Sequence, residues 1–153
     1  MQENLAGAEK KVGIEVKSNE MIAVCLDGNA VVTDRFNAPL DISNDTAPQL
    51  VEFINEVRRR FYDFEMLGIA VPGLFNRETN RIDYSILIPE HAEIDLLSEL
   101  EKVTKLKIYV ENDANAAAYG EFIAGAGRGS RNLFYATIGT GIGGALIFNN
   151  EIW

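Results

Sequence analysis

The sequence is poor in the residues that build metal and redox sites. Among its 153 residues there is one cysteine, Cys25, and one histidine, His91. A single cysteine cannot close an internal disulfide and excludes a cysteine-based zinc site within the chain, so no metal ligands are predicted. Cys25 lies in the apolar run 21–26, where we expect a buried, inert thiol in a reducing, cytoplasmic compartment.

The chain also lacks the features of membrane and nucleic-acid-binding proteins. No apolar run approaches the length of a membrane span, and residues 1–11 lack the apolar core of a secretory signal. The formal net charge is −9, and the acidic residues are spread along the chain. Because an acidic surface repels a phosphate backbone, we expect neither nucleic acid nor membrane as a partner.

The apolar pattern predicts a mixed α/β chain. Three short strands separated by turn signals form an antiparallel meander, and a capping box at Thr46 and Gln49 begins a helix. Helices and strands then alternate, which favours a layered fold with a mixed sheet. Residues 75–91 are predicted to be irregular, with a turn at 78–80. Strands are predicted at 11–16, 21–26, 30–36, 66–71, 107–110, 132–138 and 145–148, and helices from 46, over 94–103 and over 113–126.

Residues 137–144 read Thr-Ile-Gly-Thr-Gly-Ile-Gly-Gly, a glycine turn between two apolar runs. The glycine spacing matches the dinucleotide-binding pattern, but residues 145–148 are too few and too β-prone for the helix that this pattern must open. A tight hairpin whose N–H groups and Thr140 hydroxyl face a phosphate fits better. A plain glycine hairpin without a ligand is the alternative.

Residues 111–118 read Glu-Asn-Asp-Ala-Asn-Ala-Ala-Ala and place an amide and a carboxylate at the start of an alanine-rich helix. Asn112 or Asp113 could be no more than a helix cap. Alternatively, Asp113 could accept a hydroxyl proton, because phosphoryl transfer depends more on the position of the base than on its strength. A carboxylate beside a phosphate-binding turn is the minimum needed to transfer a phosphoryl group to an alcohol.

Three segments, in their order and spacing, resemble the ROK family of bacterial sugar kinases and sugar-responsive repressors. They are residues 68–73 (Gly-Ile-Ala-Val-Pro-Gly), residues 111–116 with Gly120 and Glu121, and residues 137–144. The resemblance covers residues 12–153 but only the front part of the family's chain. It implies an α/β, ribonuclease-H-like fold of the actin-like ATPase and hexokinase clan, in which two lobes close over a sugar and ATP with magnesium.

This resemblance leads to a division of the chain into three parts. Residues 1–10 are expected to form a flexible tail, and residues 11–127 a ribonuclease-H-like lobe with the mixed sheet. Residues 128–153 would supply the first hairpin of a second lobe that is truncated. Because a two-stranded piece is marginal alone, we expect self-association or a missing C-terminal lobe to complete it.

The matching motifs also imply roles for individual residues. Asp113 would be the general base that accepts the proton of a sugar hydroxyl. Asn112 would hydrogen-bond the hydroxyls of a hexose or amino sugar, with Glu111 beside it, and Gly73 would shape the loop on the sugar side. The phosphate site would be lined by Gly139, Thr140, Gly141 and Gly143.

The sequence departs from the family at positions that bear on activity. The family's kinases cup the ATP phosphates with a loop of the type Asp-x-Gly-Gly-Thr, where this chain has Glu-Val-Lys-Ser-Asn at 15–19. Side chains there block close backbone approach to a phosphate, although Lys17 could supply charge. Leu87 replaces the family's sugar-binding asparagine, and His91 stands where the family often has an aromatic residue.

Three functions stay open on this basis. The first is an ATP-dependent sugar kinase that is inactive or incomplete as this isolated chain. The second is the non-catalytic sugar-sensing domain of a repressor, whose DNA-binding helices would precede residue 11, so that this chain alone would not bind DNA. The third is a remnant that binds no ligand and is held by a partner.

Overall fold

The structure is a computed structural model that describes residues 10–76, 78–79, 81–85, 96–139 and 141–153. Within it the chain divides between Val110 and Glu111 into two compact units. The first unit contains most of a five-stranded sheet, and the second unit contains the helix that begins at Asp113 and a three-stranded sheet.

A five-stranded mixed sheet forms the centre of the first unit. β1 (Lys11–Val16) pairs antiparallel with β2 (Glu20–Leu26) and parallel with β4 (Met66–Val71), and β2 pairs antiparallel with β3 (Val32–Pro39). These pairings confirm the predicted meander and mixed sheet. The third strand begins two residues later than predicted, because Asp27 accepts the N–H groups of Asn29 and Val31 and holds them in a turn. The fifth strand is β7 (Lys107–Asn112), and the strand order is β3-β2-β1-β4-β7.

Helix α1 (Thr46–Phe61) carries the predicted apolar stripe, whose members are all buried: Leu50, Phe53, Ile54, Val57 and Phe61. The predicted capping box is wrong, because Asp45 and not Thr46 is the N-cap residue. The Gln49 amide instead donates to the carbonyls of Asp41 and Asp45, at 2.9 and 3.1 Å. Gln49 therefore fastens the preceding loop to the first turn of the helix.

A short hairpin follows β4 where the sequence predicted irregular structure. β5 (Leu74–Asn76) and β6 (Arg81–Tyr84) pair antiparallel. The Asn76 side chain accepts the N–H groups of Glu78 and Thr79, which stabilises the predicted turn. Helix α2 (Leu96–Thr104) lies close to its predicted span, whereas residues 86–95, with Leu87 and His91, lie outside the described residues.

The first unit encloses one apolar core between the sheet and its helices. Phe53 stacks on Phe36 with ring centroids 5.3 Å apart, and Leu67 and Leu100 are fully buried. Cys25 belongs to this core as a buried free thiol, as predicted. Among the described helices, none combines the length and the apolar character needed to cross a membrane.

The second unit packs helix α3 (Asp113–Ala124) against one face of a three-stranded antiparallel sheet. This sheet consists of β8 (Leu133–Ile138), β9 (Ile142–Phe148) and β10 (Glu151–Ile152), in the order β10-β9-β8. The third strand was not predicted; Asn149 and Asn150, both with positive φ, make the turn that returns it. α3 shares a core with β8 and β9 around Ala118 and Ile147, and this compact unit comprises residues Glu111–Trp153. The lobe boundary after residue 127 stays a prediction.

Candidate functional site

The start of α3 holds an amide in a fixed position. Asn112 is the N-cap of the helix, and its Oδ1 accepts the backbone N–H of Asn115 at 3.0 Å. This bond satisfies one of the donors that a helix start leaves without an intrahelical partner. The capping function predicted for Asn112 is thus confirmed.

The carboxylate of Asp113 is held at one oxygen. Oδ1 accepts the backbone N–H of Ala114 at 2.8 Å and the side-chain amide of Asn112 at 3.1 Å. Among the residues that the structure describes, neither a hydrogen bond nor a cation engages Oδ2. The side chain is only partly buried. Asp113 is therefore oriented by its neighbours, yet it is not enclosed in the packed interior.

Glu111, at the end of β7, stabilises the start of α3 by accepting two hydrogen bonds. Its Oε1 accepts the backbone N–H of Asn112 at 2.8 Å and the side-chain amide of Asn115 at 3.0 Å. Asn115 therefore donates its backbone N–H to Asn112 and its side chain to Glu111. Asn115 was not predicted as a site residue, although it lies three and four residues from two polar partners, which was the available signal.

The glycine turn is the hairpin loop between β8 and β9, with Ile138 paired with Ile142. This rules out a helix after the glycines and confirms the hairpin prediction. A Cβ built on Gly139 or Gly141 would meet no described atom within 4 Å, and neither residue has a positive φ. Within the described part of the chain, neither packing nor backbone conformation requires glycine at these two positions. Thr140 lies outside the described residues.

Gly143, in contrast, is required for packing. A Cβ there would lie 3.0 Å from Thr137 Cγ2 and 3.3 Å from Ala114 Cβ, tighter than ordinary contacts. Ala114 is buried and directly follows Asp113. The glycine lets β9 approach the first turn of α3, so the carboxylate segment and the glycine hairpin adjoin within the second unit.

Two other positions from the sequence analysis lie in the first unit. Gly73 follows β4 and has a φ of 122°, which favours glycine. In the turn between β1 and β2, Lys17 Nζ lies 3.7 Å from a Glu15 oxygen and 3.8 Å from a Glu20 oxygen. Two carboxylates thus compensate the charge of Lys17, which reduces its capacity to attract a phosphate. In the described ranges, no group of three or more His, Cys, Asp or Glu side chains could hold a metal ion.

Comparison with known proteins relates the chain to both sugar kinases and sugar-responsive repressors. The glucokinase of Streptomyces coelicolor is 28% identical over 141 residues, which cover 92% of this chain and 44% of that protein. The xylose repressor of Bacillus subtilis is 31% identical over 152 residues, which cover 93% of this chain and 38% of that protein. The chain therefore spans less than half the length of these relatives.

Solved structures give the same relationship at the level of the fold. The ROK family glucokinase from Streptomyces griseus, in complex with glucose and AMPPNP, aligns with a TM-score of 0.82 and 26% identity. The alignment covers 94% of this chain and 46% of that one. The fold is accordingly the actin-like ATPase fold of these sugar kinases. Because the sequence profile of the ROK family matches residues 12–153, a span that includes both the Asp113 segment and the glycine hairpin, the chain belongs to the ROK family.

Proposed function

We propose that the chain forms the sugar-binding and part of the phosphate-binding region of a ROK-type, sugar kinase-like protein in the cytoplasm. The parent reaction would be ATP-dependent phosphoryl transfer to a hydroxyl of a hexose or amino sugar. One observation carries this proposal: Asp113 is anchored through Oδ1 while Oδ2 accepts no bond from the described residues, in the same unit as a hairpin with open space where a Cβ would stand on Gly139 or Gly141.

Asp113 would act as the general base. The sugar hydroxyl would give its proton to Oδ2, while the donors from Ala114 and Asn112 hold Oδ1. Fixing one oxygen restricts rotation of the carboxylate, and correct placement of a weak base is sufficient for a proton that leaves late in phosphoryl transfer. Asn112 and Glu111 are the proposed polar neighbours of the sugar, and the family resemblance proposes Gly73 as a further sugar-binding residue.

ATP would supply the phosphoryl group, and the magnesium ion would neutralise the negative charge of the phosphates. The glycine hairpin leaves room for a phosphate, since the position of a Cβ on Gly139 or Gly141 is open space. The Gly139 N–H donates to the Gly141 carbonyl at 2.9 Å, so a phosphate would approach the backbone beside this bond. Thr140 and Gly143 complete the proposed phosphate site. The turn after β1 does not fit, because residues 17–19 carry side chains and Lys17 already lies between two carboxylates. We therefore expect no efficient phosphorylation by this chain alone.

The alternative is a non-catalytic sugar-sensing domain of the repressor type. The compensated Lys17 in the β1–β2 turn favours it, because sensing needs a sugar site but no nucleotide. A domain of this kind would keep the polar network at Asn112 and Asp113 for recognition of sugar hydroxyls.

Titration calorimetry with glucose, an amino sugar and AMPPNP with magnesium tests these readings. The kinase-like reading expects binding of both a sugar and the nucleotide, and the sensor expects sugar alone. Asp113→Asn is the matched variant, because its amide oxygen can still accept the two bonds made by Oδ1. It should leave the sugar dissociation constant within about threefold and lower any ATP-dependent turnover by about 10²–10⁴-fold. Absence of both sugar and nucleotide binding would refute the proposal and favour a remnant without a ligand.

A further inference from the structure

The two carboxylates at the start of α3 are held in the same way. Glu111 accepts one backbone N–H, from Asn112, and one side-chain amide, from Asn115, at 2.8 and 3.0 Å. Asp113 accepts one backbone N–H, from Ala114, and one side-chain amide, from Asn112, at 2.8 and 3.1 Å. Each carboxylate therefore depends on one asparagine amide, and Asn115 is the asparagine without a proposed contact to the sugar.

This arrangement is a modified capping box. In the usual form, the side chain of the N-cap residue accepts the N–H of the third helical residue, whose own side chain accepts the N–H of the N-cap residue. The first bond is present, because Asn112 Oδ1 accepts the Asn115 N–H at 3.0 Å. The second is replaced, because the Asn112 N–H and the Asn115 amide both donate to Glu111 Oε1. A residue of the preceding strand thus takes the acceptor role, and Asn115 holds it there.

The helix itself does not require the side chain of Asn115. The cap uses only its backbone N–H, which every residue except proline carries. Residues 114 and 116–118 are all alanine, the residue with the highest helix propensity, and asparagine is less favourable than alanine within a helix. Formation of α3 therefore favours alanine at position 115, so the contribution of asparagine lies in the carboxylate that its amide holds.

We propose that Asn115 is a positioning residue of the sugar site, an inference that rests on the proposed function. Its amide would hold Glu111, which in turn fixes the backbone of Asn112, while its N–H fixes the side-chain oxygen of Asn112. With both held, the amide nitrogen of Asn112 stays at the Asp113 carboxylate, and Oδ2 of Asp113 keeps its direction. Asn115 itself would not contact the sugar.

The strength of these bonds determines the expected effect. The bond from Asn115 to Glu111 has a charged acceptor, and such bonds are stronger than those between neutral groups. The four polar residues of positions 111–113 and 115 are partly buried, so water replaces a lost bond only in part. Loss of the Asn115 amide should therefore weaken sugar binding by about tenfold, the effect of losing one bond of this kind.

Two variants of Asn115 separate a positioning role from a structural one. Asn115→Ala keeps the cap, and its higher helix propensity offsets part of the lost bond, so the urea midpoint should change little. Its dissociation constant for glucose or glucosamine should rise about tenfold. Asn115→Glu supplies the acceptor of a usual capping box and should also keep its stability, but its carboxylate would repel Glu111 and weaken sugar binding at least as much. Calorimetry and urea unfolding measure the two quantities.

Gln49→Ala is the matched control. The Gln49 amide also fixes the start of a helix, by donating to the carbonyls of Asp41 and Asp45, and it belongs to the first unit. This variant should lower the urea midpoint and leave the sugar affinity unchanged. A residue with a merely structural role would follow the pattern of Gln49 and not the one expected for Asn115.

Hydrogen exchange tests the positioning without any ligand. In the natural chain the Asn112 N–H is held by Glu111, and the Asn115 N–H is held by the Asn112 side chain. In Asn115→Ala, exchange of the Asn112 N–H should become several times faster, while exchange of the N–H at position 115 should be unchanged. Nuclear magnetic resonance resolves the two amide protons.

The outcomes keep this inference distinct from the proposed function. Faster exchange at Asn112 alone, together with weaker sugar binding, supports the positioning role. Unchanged exchange at both positions, or equal acceleration at both, would overturn it, because Asn115 would then hold nothing or only the helix. Sugar binding by the natural chain that a folded Asn115→Ala does not weaken would overturn this inference alone. A natural chain that binds neither sugar would refute the proposed function, and with it the site that Asn115 is proposed to position.

Discussion

Gly143 in β9 and Ala114 in α3 lie so close that a methyl group on the glycine would stand 3.3 Å from the Ala114 Cβ. Asp113 immediately precedes Ala114, and Gly143 lies two residues after Gly141, at the start of β9. The close approach therefore brings the carboxylate segment next to the hairpin. The glycines of this segment thus have two different roles: Gly143 permits close packing, whereas Gly139 and Gly141 leave open space.

Replacing these glycines one at a time should distinguish the packing role from the binding role. Gly143→Ala should lower the free energy of unfolding by about 1–3 kcal/mol, because its methyl group would crowd Thr137 and Ala114. Gly141→Ala meets no described atom within 4 Å and should be neutral or stabilising by up to about 1 kcal/mol. Urea unfolding followed by circular dichroism measures both. An equal loss of stability in the two variants would show that packing does not require glycine at position 143.

The same Gly141→Ala variant tests the proposed phosphate contact. A methyl group at the tip of the hairpin would occupy the space assigned to a phosphate, so AMPPNP binding should weaken while the fold is retained. Calorimetry on the folded variant measures this. Unchanged nucleotide affinity in Gly141→Ala would show that the hairpin does not contact the phosphates of the nucleotide.

Asn112 should show a capping role and a binding role that can be separated. Asn112→Ala removes the oxygen that accepts the Asn115 N–H and should cost about 1 kcal/mol of stability. Asn112→Ser retains a capping oxygen and should recover most of that loss. Neither variant has the amide proposed to contact the sugar, so sugar affinity should stay low in both. Full recovery of sugar affinity in the serine variant would show that the amide makes no sugar contact.

Elements with a strong local pattern could be predicted from the sequence. The apolar stripe of α1 repeats with the helical period, and β4 is a continuous apolar run that stops before Pro72. Both elements can therefore be predicted from the local sequence alone. The same holds for the hairpin at 137–144 and the Asn112 cap, where residue type and spacing determine the local structure. The resemblance to the ROK family rests on these same local segments.

Features that depend on contacts across the chain could not be predicted. Gln49 had the spacing of a capping box, but nearby carbonyls of the preceding loop compete for its amide. The Glu111–Asn115 bond joins the end of a strand to the next helix, so a spacing of four residues did not by itself identify it. β10 has only two residues and exists because β9 offers an open edge. The predictions for Leu87, His91 and Thr140 stay untested.

The loop before α1 should contribute acid sensitivity through Asp41. The Ser43 hydroxyl, the Ser43 N–H and the Asn44 amide donate to its carboxylate and lower the pKa of Asp41 below 3.8. A carboxyl group with a lowered pKa in the folded state stabilises the fold above pH 3.8, and that stabilisation is lost as the pH falls through the folded pKa. Stability should therefore decline below about pH 4 in part through this group.

Asp41→Asn removes this titration and provides the test. The difference in urea midpoint between the natural chain and the variant should shrink as the pH is lowered from 6 to about 3, within the range where carboxylates titrate. Asp45→Asn is a suitable control, because the Asp45 side chain makes no capping hydrogen bond. A difference that stayed constant with pH would show that the Asp41 bonds contribute nothing specific to the charged form.

Gly73 should be intolerant of a side chain for a reason different from that at Gly143. Its φ of 122° is one that residues with a Cβ rarely adopt, so Gly73→Ala should cost about 1–3 kcal/mol or shift the loop after Pro72. The matched control is Gly68→Ala in β4, where a Cβ would lie 3.9 Å from the Val12 carbonyl, an ordinary contact. We expect Gly68→Ala to keep both stability and glucose affinity, and Gly73→Ala to lose stability and bind glucose more weakly. Urea unfolding and calorimetry on the two variants decide this, and intact glucose binding in Gly73→Ala would exclude the loop from the sugar site.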